Sequence, residues 1–149
     1  MSFRTWITYG YGICFNEPID TTVEKVERLL DHAPKLRSSV HQYLRTVLEE
    51  GKEPTLENYM EYDKMYHAGI AYLVAKTIYE AENIEITIAD DFDGNGYLMY
   101  CPDYPWVIRK RPREYQLTEE GLDDIFRKYI NILTDQEYGI DYQEAENGG

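Results

Sequence analysis

Residues Gly69-Ile70-Ala71-Tyr72-Leu73-Val74-Ala75 are apolar on nearly every side of a helix. A helix without a polar face must be packed from several directions. This stretch therefore marks the centre of a core, within a helix expected over residues 63–81, and its neighbours must supply the surrounding layers. C-terminal to it, residues 84–89 alternate apolar and polar, and the turn Asp91-Phe92-Asp93-Gly94-Asn95-Gly96 leads into Tyr97-Leu98-Met99-Tyr100-Cys101. That pattern predicts a β-hairpin.

N-terminal to it, residues 3–15 are rich in aromatic and β-branched types and read as a strand, bent at Gly10 and Gly12. Asp20 or Thr21 caps a first helix, with Glu24 at capping-box distance from Thr21 and Val23, Val26, Leu29 and Leu30 on one face. Pro34 suits the first turn of a second helix. Leu36, Val40, Tyr43, Leu44, Val47 and Leu48 give that helix its apolar stripe, and Gly51 ends it. Thr55 and Asn58 open a short third helix after Pro54. Beyond the hairpin, CPDYPWVIRKRPREY holds three of the six prolines and reads as an ordered loop. Thr118 caps a last helix with Gly121, Leu122, Ile125, Tyr129, Ile130 and Leu133 inward. A final strand is expected at 140–143, with the tail AENGG frayed. This order predicts one α+β domain over residues 1–149. Its sheet is small and largely antiparallel, built from the N-terminal strand, the central hairpin and the C-terminal strand, under a layer of about five helices.

The chain carries 28 Asp and Glu against 15 Lys and Arg, a net charge of −13. Such a surface repels phosphate backbones and anionic membranes and attracts basic partners; the plainer account is that acidity keeps the chain soluble. Fifteen residues are Tyr and four are Phe. Tyr serves half-buried core rims, the preferred reading, and also interfaces. Cys14 and Cys101 are expected as free thiols in strands. The N-terminus lacks the apolar core of a secretory leader, so a cytoplasmic setting is the default.

Several groupings carry candidate chemistry. Asp91, Asp93 and Asn95 match the first half of a calcium loop, with Gly96 and Leu98 at the expected places and Asp90 adjacent. The closing position holds Pro102 instead of Glu, and an Asx-rich hairpin turn accounts for the same residues. The turn is thus the preferred reading, with Ca2+ as the alternative. Glu49, Glu50, Glu53, Glu57, Glu61 and Asp63 form a second acidic group, either a solvated helix face or a docking face for a basic partner. Asp90, Asp91 and Asp93, with the aromatic rings of Tyr104 and Trp106, extend that candidate partner surface. Arg109, Lys110, Arg111 and Arg113 are the only basic cluster, and without their four charges the chain would carry −17. They either pair with the protein's own acidic face or with the acidic helix at Glu119, Glu120, Asp123 and Asp124, the preferred reading, or hold a phosphorylated ligand or a nucleotide beside Tyr104 and Trp106. His32, His41 and His67 show no zinc-ligand spacing.

Four segments carry a resemblance. They are Arg4-Thr5-Trp6 with Tyr9-Gly10-Tyr11-Gly12-Ile13, the run Ala89-Asp90-Asp91-Phe92-Asp93-Gly94, the run from Tyr100 to Trp106, and the end Glu144-Ala145-Glu146-Asn147-Gly148-Gly149. Together they resemble small acidic proteins of prophages and mobile elements in gut Firmicutes. That setting includes inhibitors of host defence, anti-CRISPR proteins among them, and the resemblance implies no catalytic residues. The resulting expectation is a non-enzymatic inhibitor whose acidic surface occupies a basic, nucleic-acid-handling host protein such as a CRISPR effector nuclease, mimicking nucleic acid. No membrane contact and no direct nucleic-acid binding are expected. The alternative is a module binding a nucleotide or Ca2+ through the 109–113 loop or the 91–95 turn. A less favoured third reading is a hydrolase with Cys14 or Cys101 beside a His.

Overall fold

Two glycines, two residues apart, shape the first strand. The computed structural model describes residues 4–47, 51, 53, 55–58, 60–61 and 69–148. Strand β1 (Thr5–Phe15) alternates its faces, so Tyr11, Ile13 and Phe15 enter the main core while Gly10, Gly12 and Cys14 point the other way. A Cβ at Gly12 would lie 2.0 Å from the carbonyl oxygen of Leu98, and one at Gly10 would lie 2.7 Å from the Met99 Cβ. Only hydrogen fits where the neighbouring strand comes so close.

The pairing shows what this approach achieves. β1 pairs antiparallel with β3 (Gly96–Tyr100) through residues 11–15, and with β4 (Asp141–Gly148) through residues 5–12. β2 (Thr87–Asp90) pairs antiparallel with β3, giving the order β2-β3-β1-β4. Phe15 aligns with the β2 end of the sheet and Trp6 with the last residues of β4. Along a straight strand these positions would be roughly 30 Å apart. Yet the Phe92 N–H donates to the Glu146 carbonyl at 3.1 Å, and the Asn147 amide donates to the Asp90 carboxylate at 2.8 Å. β1 is therefore bent, and the sheet folds over on the face that carries the glycines.

A small second core fills the inside of that fold. Tyr97, Met99 and Ala145 are buried there, flanked by Cys14, Ala89 and Cys101. Met99 and Ala145 are 0% and 1% exposed. The C-terminal segment expected to fray is strand through Gly148, held by its ladder to β1 and by the contacts of Glu146 and Asn147 with the β2–β3 turn. A polar segment is ordered here because tertiary pairing supplies what its composition lacks.

The opposite face of the sheet carries the helices. They include α1 (Val23–Leu30), α2 (Leu36–Val47), α3 (Gly69–Glu82), the one-turn α4 (Pro105–Ile108) and α5 (Pro112–Tyr115), and α6 (Glu119–Leu133), and residues 56–58 and 60–61 are also helical, where the short helix after Pro54 is expected. The main core joins Val26, Leu29 and Leu30 of α1, Leu73, Val74 and Ile78 of α3, Phe126, Tyr129 and Leu133 of α6, and Ile13 and Leu98 of the sheet. The architecture is α+β, with an antiparallel four-stranded sheet. Among the described residues no helix is long and apolar enough to cross a membrane.

Local chemistry explains the boundaries. Thr22, not Asp20 or Thr21, caps α1, accepting from the Lys25 N–H at 3.4 Å. The expected strand at 84–89 begins only at Thr87, because Ile84 and Ile86 are drawn into the main core before the chain joins the sheet edge, where Ile88 is exposed. The 101–115 loop contains two helical turns, each started by a proline whose missing N–H is not needed there. Thr118 caps α6 as expected, accepting from the Gly121 N–H at 3.0 Å. The expectations for Leu48, Pro54 and residues 62–68, and for the side chains of Tyr43, Leu44 and Val47, lie outside the described residues.

The bend predicts unequal costs for two glycine substitutions. Gly12→Ala should destabilise by roughly 3 kcal/mol, since its methyl meets backbone that cannot rotate away. Gly139→Ala, with nothing within 4 Å of the new Cβ, should stay within about 0.5 kcal/mol of the parent. Urea denaturation of the two variants measures both.

Candidate binding groove

Tyrosines from distant parts of the chain meet beside α6. Tyr9 and Tyr11 share the helix-side face of β1, and β4 places Tyr142 opposite Tyr11. The two rings pack edge to face with centroids 5.0 Å apart. β3 adds Tyr100, the 101–117 segment adds Pro102, Ile108 and Leu117, and the start of α6 adds Thr118, Glu119 and Leu122. Together they line a groove of about 420 Å³. Tyr9 and Tyr142 stand at its lip, 62% and 68% exposed.

Three of the groove's phenols are aimed at carboxylates. The Tyr11 hydroxyl donates to Asp123 at 2.7 Å, the Tyr100 hydroxyl donates to Glu114 at 3.4 Å, and the Tyr142 hydroxyl donates to Glu119. The bond to Asp123, reinforced by burial, pushes the Tyr11 phenol up to about 12. Burial, with the charge of Glu114 next, pushes Tyr100 up to about 12. These phenols stay protonated at neutral pH, where they donate hydrogen bonds and offer π faces but supply no base. Glu114 is itself buried, and Arg111 pairs with it at 3.2 Å while reaching Asp103 at 3.6 Å.

The rim is acidic. Residues 118–148 include nine Asp or Glu and two Lys or Arg. Glu119, Glu120 and Asp124 of α6 are exposed, as are Asp141, Glu144 and Glu146 of β4. Tyrosine faces surrounded by carboxylates suit one class of guest: a cationic side chain, which the rings attract through their quadrupoles and the carboxylates through charge-assisted hydrogen bonds.

Glu53, Glu57 and Glu61 are exposed, and Glu49, Glu50 and Asp63 lie outside the described residues. Asp90 holds Asn147. Asp91 is committed to its own turn: one oxygen accepts from the Asp93 and Asn95 N–H groups, each at 2.9 Å, and the other from the Asn95 amide at 3.0 Å and the Tyr97 hydroxyl at 2.6 Å. This is the Asx-rich turn. Burial pushes the Asp91 carboxyl up, but the hydrogen bonds outweigh it and hold the group below its ordinary value. Asp93 is exposed and Asn95 is half-buried. Among the described residues no three His, Cys, Asp or Glu side chains are placed together to hold a metal. Tyr104 and Trp106 are exposed and stack with their rings 4.7 Å apart and nearly parallel, next to the Pro102 and Ile108 wall of the groove. Of the basic cluster Arg111 alone makes ion pairs among the described residues, with Asp103 and Glu114 and not with the acidic helix at 119–124. Burial pushes the Cys101 thiol up, which keeps it protonated.

Sequence reasoning missed Tyr9, Tyr11, Tyr142, Glu119 and Asp123 as one surface. The spacing of Tyr9 and Tyr11, two apart in a strand, was the available signal for a shared face. No family model, curated protein or solved structure matches this chain.

Two outcomes follow from these contacts. Asp91→Ala should cost about 2 kcal/mol or more in folding stability, because four donors lose their acceptor. Calcium should leave the melting temperature of the parent protein unchanged. The Tyr11 phenol, raised from 10.0 to about 12, contributes stability that is complete below pH 10 and is lost as pH rises toward 12, where the unfolded chain releases the proton more readily. Asp123→Asn should bring the Tyr11 titration, followed by NMR of the labelled ring, back toward its ordinary value.

Proposed function

We propose that this chain is a non-enzymatic inhibitor that docks its acidic, tyrosine-lined surface on a basic, nucleic-acid-handling protein of the host cell. The observation that carries the reading is that the groove's tyrosines meet Glu114 and the α6 carboxylates Glu119 and Asp123, with Glu144 of β4 paired opposite Tyr9. A surface that grips phosphates presents spaced Lys and Arg. Carboxylates at comparable spacing compete for those side chains and exclude the polyanion. The exposed rings of Tyr9, Tyr142, Tyr104 and Trp106 supply the aromatic anchors that dominate interface energetics. Opposite charge also steers encounter, so association is fast and salt-sensitive. The resemblance to acidic proteins of mobile elements makes CRISPR effector nucleases the first partners to try.

The experiment is a titration of guide-loaded effector nucleases with this protein over a rising salt series, read by biolayer interferometry and by displacement of target DNA. One effector should bind at low salt, lose affinity as salt rises, and release DNA. Glu144→Lys with Glu146→Lys should slow association by about tenfold, and Tyr142→Ala should speed dissociation. If no nucleic-acid-handling protein in the panel binds at low salt, the proposal fails.

A further inference from the structure

We propose that a second, separate cavity binds a mononucleotide. It lies between the end of α3 and the 109–113 segment and has a volume of about 350 Å³, within the range of small-molecule sites. Tyr79, Asn83 and Glu85 line one part of it, and Lys110, Arg111, Arg113 and Glu114, the last paired with Arg111, line the other. The inference does not rest on the function proposed for the groove.

Three observations support it. The first is the state of the cations. In a chain of net charge −13, Arg111 is taken by Asp103 and Glu114, whereas Lys110 and Arg113 are exposed and make no ion pair among the described residues. Two positive side chains on one wall of a cavity suit a phosphate, which Arg can bind with two parallel N–H groups and Lys as a point charge.

The second is the opposite wall. The Tyr79 ring is 51% exposed and offers a flat face on which a base can stack. Asn83 takes a left-handed conformation (φ 58°) where α3 ends and lines the cavity, and an Asn side chain carries both a donor and an acceptor. Glu85 stands there too, suited to accept from ribose hydroxyls or an exocyclic amine. The cavity thus has a cationic side for phosphate and an aromatic, hydrogen-bonding side for a nucleoside.

The third is stiffness. Backbone bonds from Arg109 to Pro105, Lys110 to Val107 and Arg111 to Ile108 fix the cationic wall, and Pro112 begins the next helical turn. The wall is ordered before any ligand arrives, which lowers the cost of binding. A single nucleotide fits the arrangement better than a strand. The acidity of the remaining surface repels a long polyanion, while one phosphate reaches Lys110 and Arg113 without crossing that surface.

Calorimetry and amide chemical shifts on the full chain at low ionic strength, with AMP, adenosine and inorganic phosphate as separate probes, test the site. AMP should bind in the millimolar range or tighter, at least about tenfold better than adenosine or phosphate alone, with shifts centred on residues 79–85 and 109–114. Lys110→Glu with Arg113→Glu, both exposed positions, should weaken AMP by about tenfold or more while thermal melting stays close to the parent's. Tyr79→Ala should weaken AMP and leave phosphate unchanged. The proposal is overturned if AMP produces no shifts at about 10 mM, if binding survives the double charge reversal, or if phosphate alone binds as well as AMP.

Discussion

The contact between Gly12 and the Leu98–Met99 backbone governs the rest of the sheet. With any side chain at Gly12 the strands would separate there, and β1 could not turn its first half over the hairpin. Because it does turn, β4 runs back past the β2–β3 turn, and Ala145 covers Met99 in the second core. The same strand sets Tyr142 against Tyr11 and brings Glu119 within reach of its hydroxyl. The groove is thus a consequence of a backbone approach on the other face of the sheet.

Charge is sorted by this architecture as well as by sequence. The Glu114–Arg111 pair stands between two recesses of opposite character: Glu114 lines both the tyrosine groove and the cavity beside α3. Arg111 is neutralised by Glu114 and Asp103, so it neither cancels the acidic rim nor spends itself on a ligand. A buried carboxylate left without that partner would be costly, which is why the pair holds both walls in place. Chemically the molecule presents an acidic aromatic surface on one side of the 101–117 segment and, on the other, Lys110 and Arg113, which make no ion pair among the described residues.

Much of the fold was legible because local signals agreed. The helix around Gly69–Ala75, the hairpin through Asp91–Gly96 and the α6 cap at Thr118 rest on periodicity, turn chemistry and capping within a few residues of one another. The cap of α1 was misplaced because Asp20, Thr21 and Thr22 are all competent, and only the fold selects among them. The tail was misjudged because Glu144-Ala145-Glu146-Asn147 has little strand propensity. Its order comes from β1 and from Asp90 and Phe92, more than fifty positions away in the chain. Of the carboxylates dense in sequence at residues 49–63, Glu53, Glu57 and Glu61 are exposed and the others lie outside the described residues. A second group, Glu119 and Asp123 with Tyr142 and Glu144, is brought together only by the sheet topology. Glycines at positions 10 and 12 announced a bend, but nothing local announced what it would enclose.

The bent sheet can be tested directly by NMR. The Phe92 amide, which donates to the Glu146 carbonyl, should exchange slowly, and the Ala145 methyl should show a nuclear Overhauser effect to the Met99 side chain. A Phe92 amide that exchanges at the rate of an open turn, with an Ala145 methyl that sees only β1, would mean a flat sheet. In that case β4 would not be clamped beside α6, and the groove would not exist in the form described.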